Sequence, residues 1–148
     1  MTFRQTFGIL FAGMLMLGIA KQMHAGEAEQ RHCSNATLQG DYSFTTTGTL
    51  NGVPLATVGK STFDGKGSFQ STETLSDNGV ISENLPGTGT YTVNADCTGT
   101  SMISTGRASN FVIVDNGNEI QAINAAPGTV LITVLKRLFT NRWPDFAR

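Results

Sequence analysis

Gly87-Thr88-Gly89-Thr90-Tyr91-Thr92-Val93-Asn94-Ala95-Asp96-Cys97-Thr98-Gly99 reads as a β-strand with a turn on either side. Thr90, Tyr91, Thr92 and Val93 are residue types that suit a pleated, half-buried surface. Side chains alternate along a strand, so Tyr91, Val93 and Ala95 share one face and Thr90, Thr92 and Asn94 the other. An apolar face backed by a hydroxyl face fits a sheet with core on one side and water on the other. Gly87, Gly89 and Gly99 are expected at turns or bulges.

The same pattern repeats outward from this stretch. Upstream, Ala36 to Thr49 alternates, with Leu38, Gly40, Tyr42 and Phe44 on one face. Leu50-Asn51-Gly52-Val53-Pro54 carries the Asn-Gly hairpin signal. Strands follow over Leu55–Phe63, Ser68–Leu75 and Val80–Leu85, separated by Asp64-Gly65-Lys66-Gly67 and Ser76-Asp77-Asn78-Gly79, with Pro86-Gly87 closing the last. Downstream, Thr98–Ser104 reads as a weaker strand. Phe111-Val112-Ile113-Val114 is a continuous apolar run that suggests burial on both faces or a tight barrel wall. Asp115-Asn116-Gly117-Asn118 marks a hairpin, Glu119–Asn124 alternates, and Val130–Leu135 forms the last strong strand. No helical period interrupts this series. Short strands joined by short turns predict an all-β domain, an eight-stranded antiparallel meander closed as a β-barrel, with a two-sheet β-sandwich as the alternative. Closure removes exposed edges, and eight strands enclose an interior that is either filled by side chains or holds one small ligand.

At 148 residues the chain has room for one domain. The N-terminus has the layout of a secretory signal peptide. Arg4 supplies the positive end, Phe7–Ala20 is uninterrupted and apolar, and Met23-His24-Ala25 or Gly18-Ile19-Ala20 offers a cleavage site. An uncleaved anchor is the competing reading, but the run is shorter than the ~20 residues a spanning helix needs. The expected organisation is a signal peptide over 1–25, a leader over 26–32, a barrel over 33–136 and a basic, aromatic tail over 137–148. The protein is therefore expected to be exported, periplasmic or secreted, with no transmembrane segment in the mature chain. Between Cys33 and Leu135, three basic side chains face eight acidic ones, a net −5. An acidic body argues against nucleic acid as a partner, since phosphate binding needs a basic face.

Export makes two cysteines read as a disulfide, Cys33 to Cys97. In the chain-entropy account, a loop of that length stabilises by roughly 4 kcal/mol. A reactive thiol or metal ligand is the alternative, but no Cys-x-x-Cys and no nearby histidine supports it. His24 and His32 both precede the body, which argues against a histidine triad or histidine metal site. Asp64, Asp77 and Asp115 fall in turns, where aspartate bonds its own backbone. Glu73 and Glu119 fall within strands, and one pointing into a lumen would have a raised pKa and act as an acid or base. Asn35-Ala36-Thr37 matches a glycosylation sequon, expected to be idle in a chain of bacterial character. No cofactor and no metal site is expected.

Three blocks of residues carry a family likeness. They are Cys33-Ser34-Asn35-Ala36-Thr37-Leu38-Gln39-Gly40-Asp41-Tyr42-Ser43-Phe44, Gly59 with Thr62-Phe63-Asp64-Gly65-Lys66-Gly67, and Gly89 to Gly99. Over Cys33 to Lys136 the chain resembles a group of small exported bacterial proteins with allene oxide cyclase barrel-like, calycin-type folds. The resemblance implies a barrel and, for most of that group, no assigned function. The plant cyclase binds an unstable apolar epoxide in its barrel, but none of its working residues maps onto this chain.

The resulting expectation is a non-enzymatic exported barrel with a small apolar ligand inside. Tyr42, Phe44, Phe63, Phe69, Tyr91 and Phe111 are the candidate lining, with plain core as their competing role. A barrel-type isomerase or cyclase, using a lumen carboxylate or tyrosine, is the first alternative. A surface module docking through its tail is the second. Oligomeric state is not legible in the residues.

Overall fold

The computed structural model describes residues 32–138. The expected signal peptide, nearly all of the leader and all of the tail beyond Leu138 lie outside them. Eight strands run in order: β1 (Gly40–Leu50), β2 (Val53–Phe63), β3 (Ser68–Asp77), β4 (Val80–Val93), β5 (Thr98–Ile103), β6 (Ala108–Val114), β7 (Glu119–Asn124) and β8 (Thr129–Arg137). Each pairs antiparallel with the next, and β8 returns to β1, so the sheet closes as a barrel. Nine residue pairs, from Tyr42–Arg137 to Leu50–Thr129, make that closing seam.

Turn chemistry sets the strand ends. Asn51-Gly52 and Asn78-Gly79 both hold positive φ (51° and 81°, 49° and 86°). That is the two-residue hairpin conformation whose twist matches the strands. The first turn is thus tighter than expected, and Val53 and Pro54 join β2. At the opposite end, Asp64 Oδ1 accepts the backbone N–H groups of Lys66, Gly67 and Ser68 at 2.7, 3.0 and 2.9 Å. Those bonds, led by that of Ser68, hold its carboxyl below the usual range. Asp96 likewise accepts from the Thr98 hydroxyl and N–H at 2.7 and 3.0 Å, and its pKa is lowered by them.

Four sequence expectations are corrected. Asn35–Leu38 forms a 3-10 turn and not the start of β1, and it places Leu38 fully buried in the barrel's end. Val80–Leu85 and the Tyr91 stretch are a single 14-residue strand. Gly87 and Gly89 lie inside it and do not turn the chain. Ala95 falls beyond its end, in an exposed turn. Of the two readings of the Phe111–Val114 run, burial on both faces or a barrel wall, the structure shows the wall: Phe111 and Ile113 are inside, while Val112 is 38% exposed.

The reason the inner glycines stay in strands lies across the ladder. Phe69 pairs with Gly89, Phe111 with Gly99, and Phe44 with Gly59. In each pair, a Cβ on the glycine would collide with the phenylalanine ring. The ring occupies the space the glycine leaves, which offsets the weak strand preference of glycine. A β-bulge on β4 follows on the other side. Glu73 opposes Leu85 but Leu75 opposes Ser82, and Asn84 in the extra position has φ 55°. The bulge reverses the parity of β4, so Leu85 and Ser82 are part-buried while Ile81 is left 59% exposed.

Candidate functional site

In an up-and-down barrel the turns alternate between two ends. At one end lie the 3-10 turn at Asn35–Leu38 and the turns β2–β3, β4–β5 and β6–β7. This end is closed. Tyr42 and Leu38 are 0% exposed, with Tyr91, Ile113, Ile120 and Leu135 around them. Phe63 is the hub: its ring lies 5.3 Å from Tyr42 and 5.2 Å from Tyr91, both edge-on, and 5.4 Å from Phe69. Such aromatic pairs add attraction beyond the area they bury.

Arg137 locks this floor. Its guanidinium stacks 4.7 Å over the Tyr42 ring. It donates to the carbonyls of Gln39 (2.6 Å), Thr37 (2.9 Å) and Gly117 (3.1 Å), and also to Tyr42 Oη. Tyr42 Oη in turn donates to the Gly117 carbonyl at 2.6 Å. Burial raises the Tyr42 phenol above its ordinary value, with the nearby guanidinium opposing. Arg137 thus ends β8, whereas the sequence placed it first in the tail. Asn35 ties the same end together. Its Oδ1 accepts the N–H of Val93 at 2.8 Å, its Nδ2 donates to the Lys66 carbonyl at 3.3 Å, and its own carbonyl accepts from Tyr91 Oη at 3.1 Å. Its amide is therefore already engaged at the sequon position. The Cys33–Cys97 disulfide, with Cα atoms 5.0 Å apart, fastens the entering chain to the β4–β5 turn at this end.

Above the floor the barrel is hollow. A cavity of about 320 Å³ opens at the other end, which carries the turns β1–β2, β3–β4, β5–β6 and β7–β8. Phe44, Phe63, Phe69 and Phe111 line its depth. Small hydroxyl side chains line its wall, among them Thr46 and Thr133, whose hydroxyls bond each other at 2.8 Å. Glu73, Asp77 and Arg107 also line it. The ion pairs among the described residues, Lys60–Asp41 at 3.3 Å and Lys136–Glu119 at 3.4 Å, involve none of those three. A larger hollow of about 610 Å³ lies at the same rim between the β1–β2 and β3–β4 hairpins. It is an open groove, and it shares Leu50, Leu75 and Asp77 with the cavity, so the two adjoin at the rim. The enclosed cavity is the candidate site because ligands bind where most of their surface is covered.

The six aromatics therefore divide. Four phenylalanines line the cavity, while Tyr42 and Tyr91 belong to the floor with their hydroxyls bonded to backbone. Of the two strand glutamates, Glu73 lines the cavity. Glu119 pairs with Lys136 and accepts from Gln121 at 2.9 Å, which lowers its carboxyl, led by the Gln121 bond. Parity separates them: Glu119 is the neighbour of buried Ile120, so the alternation places it outside. Sequence reasoning singled out neither Arg107 nor Ser61 as cavity-lining. Ser61 sits two residues from Phe63 in an alternating strand, and that spacing was the available signal. Among the described residues, no group of three or more His, Cys, Asp or Glu side chains is arranged to hold a metal ion. No helix of the described residues is long and apolar enough to cross a membrane.

Fold and site together define a closed antiparallel eight-stranded barrel with a one-ended internal cavity. No family model matches the chain, and no curated protein matches it in sequence.

Proposed function

We propose that this protein is an exported barrel, periplasmic or secreted, that binds one small, largely apolar ligand in its interior without chemically changing it. The observation that carries this reading is the cavity of about 320 Å³ inside a closed barrel, floored by phenylalanine rings and open at one end. A filled eight-stranded barrel would leave no such space. The cavity has the volume of about ten liquid waters, at the small end for a ligand site. The disulfide and the apolar N-terminal run support export. The likeness to the exported allene oxide cyclase barrel-like group is in keeping with the same reading.

Native mass spectrometry of the protein purified from the export compartment, without detergent, tests it. The expected result is a chain starting near Gly26, two protons lighter for the disulfide, with an added mass that denaturation releases. A bare chain that also takes up no apolar probe would overturn the reading. An isomerase or cyclase is the second reading, favoured by one observation, the carboxylate of Glu73 in the cavity wall. That reading requires turnover of the ligand identified above, and Glu73→Gln abolishing the turnover.

A further inference from the structure

Ser61 is the buried polar residue of the barrel, 4% exposed, and it lines the cavity. It lies on β2 opposite Tyr42 on β1 and Ser71 on β3. The Tyr42 hydroxyl is taken up by Gly117 and Arg137. Among the described residues, the Ser61 hydroxyl has no hydrogen-bond partner, whereas Thr46 and Thr133 on the same wall satisfy each other. Four residues along β2, Thr57 Oγ1 is sealed from solvent and also unpartnered. Unlike Thr57 Oγ1, the Ser61 hydroxyl can be reached from the cavity, so a nearly buried donor that no group of its own chain takes up is left for whatever fills the cavity.

We infer that the ligand is an uncharged apolar molecule bearing a carbonyl oxygen, such as a ketone, aldehyde or ester, which accepts a hydrogen bond from Ser61. This rests on the cavity-binding reading above. The apolar body lies against Phe44, Phe63 and Phe69, which explains why the lining near Ser61 is aromatic. The oxygen is uncharged for two reasons. A charge carried down to Ser61 loses its hydration with no counter-ion there. The charged groups that also line the cavity, Glu73 and Asp77 against Arg107, are of both signs and offer no single-sign field.

The test measures partitioning of 2-nonanone, nonane and nonanoate onto the disulfide-intact protein by headspace or equilibrium analysis. Each is measured with the wild type and with Ser61→Ala. The expected result is binding of 2-nonanone that falls about 5- to 10-fold in Ser61→Ala, as for one lost hydrogen bond, with nonane unchanged. Equal ketone affinity in the two proteins overturns the inference and leaves the cavity-binding reading standing. Nonanoate binding tighter than 2-nonanone overturns it too, and transfers the anchoring role to Arg107. Binding of none of the three probes removes both readings together. A measurement on the wild type alone guards against a variant that folds badly. The infrared carbonyl stretch of bound, isotope-labelled 2-nonanone is expected below its value in liquid nonane, and an unshifted band overturns the inference.

Discussion

At the closed end of the barrel Leu38 and Tyr42 are fully buried, and Arg137 spends its donors on Thr37, Gln39, Gly117 and Tyr42. At the open end Glu73, Asp77 and Arg107 form no ion pair with other described residues, Val80 is 69% exposed, and Thr57 Oγ1 is buried without a partner. The same eight strands form both ends. The closed end is where interactions complete one another, so it holds the fold. The open end is where they are left incomplete, so it is available to a ligand. Unsatisfied groups and empty volume cost stability, and a protein keeps them where function uses them.

The sharpest way to break this comparison is to truncate two cavity-lining rings, one that is the hub of the floor and one at its margin. Phe63→Ala removes the ring that touches Tyr42, Tyr91 and Phe69, and is expected to cost about 3–5 kcal/mol. Phe69→Ala is expected to cost clearly less, because that ring is only part-buried and meets one other ring, that of Phe63. Thermal or denaturant unfolding of the two variants measures the gap. Equal losses would mean that the floor is not the stabilising half.

Next in size is the disulfide. Cys33→Ser with Cys97→Ser is expected to cost about 2–4 kcal/mol, seen as a lower denaturant midpoint. Its effect falls on the closed end, so amide exchange is expected to quicken in the β4–β5 turn before it does so in the β1–β2 hairpin.

A smaller effect is tied to pH. Burial favours the neutral phenol of Tyr42 and raises its pKa in the folded protein. The stability this confers is fully present below the ordinary tyrosine value near 10 and is lost as pH rises through the raised folded value. Tyr91 shifts in the same direction, again chiefly by burial. Melting temperature is therefore expected to fall above about pH 10, and Tyr42→Phe is expected to flatten that fall while lowering stability by about 1 kcal/mol at pH 7. An unaltered alkaline limb would show that Tyr42 is not the group responsible.

The smallest change is expected at Ser61. Removing a hydroxyl that has no partner is nearly neutral, so Ser61→Ala is expected to shift stability by less than about 0.5 kcal/mol, or to raise it slightly. A loss of more than about 1.5 kcal/mol would reveal a hydrogen bond inside the protein and place Ser61 with the floor.

Much of the barrel was legible in the residues because the signals are local. Asn51-Gly52 and Asn78-Gly79 announce hairpins through positive φ, and the alternation of Ile120 and Ala122 against Gln121 and Ile123 marks which face is inside. The misreadings share one cause. Gly87 and Gly89 look like turn residues until Ser71 and Phe69 are seen to fill the space beside them from β3. Phe111–Val114 fits burial on both faces as well as a barrel wall until the sheet shows Val112 on its outer face. Each depends on a neighbour that sequence order does not name.

The sequence by itself determined the all-β class, the two Asn-Gly hairpins and the cysteine pair, because alternation and turn preference act over a few residues. Only the tertiary structure decided that β8 meets β1, that Arg137 and Tyr42 seal one end, and that Ser61 is left without a partner at the cavity wall. Those outcomes depend on residues brought together from distant parts of the chain, and they follow from how a closed sheet of fixed size packs its interior.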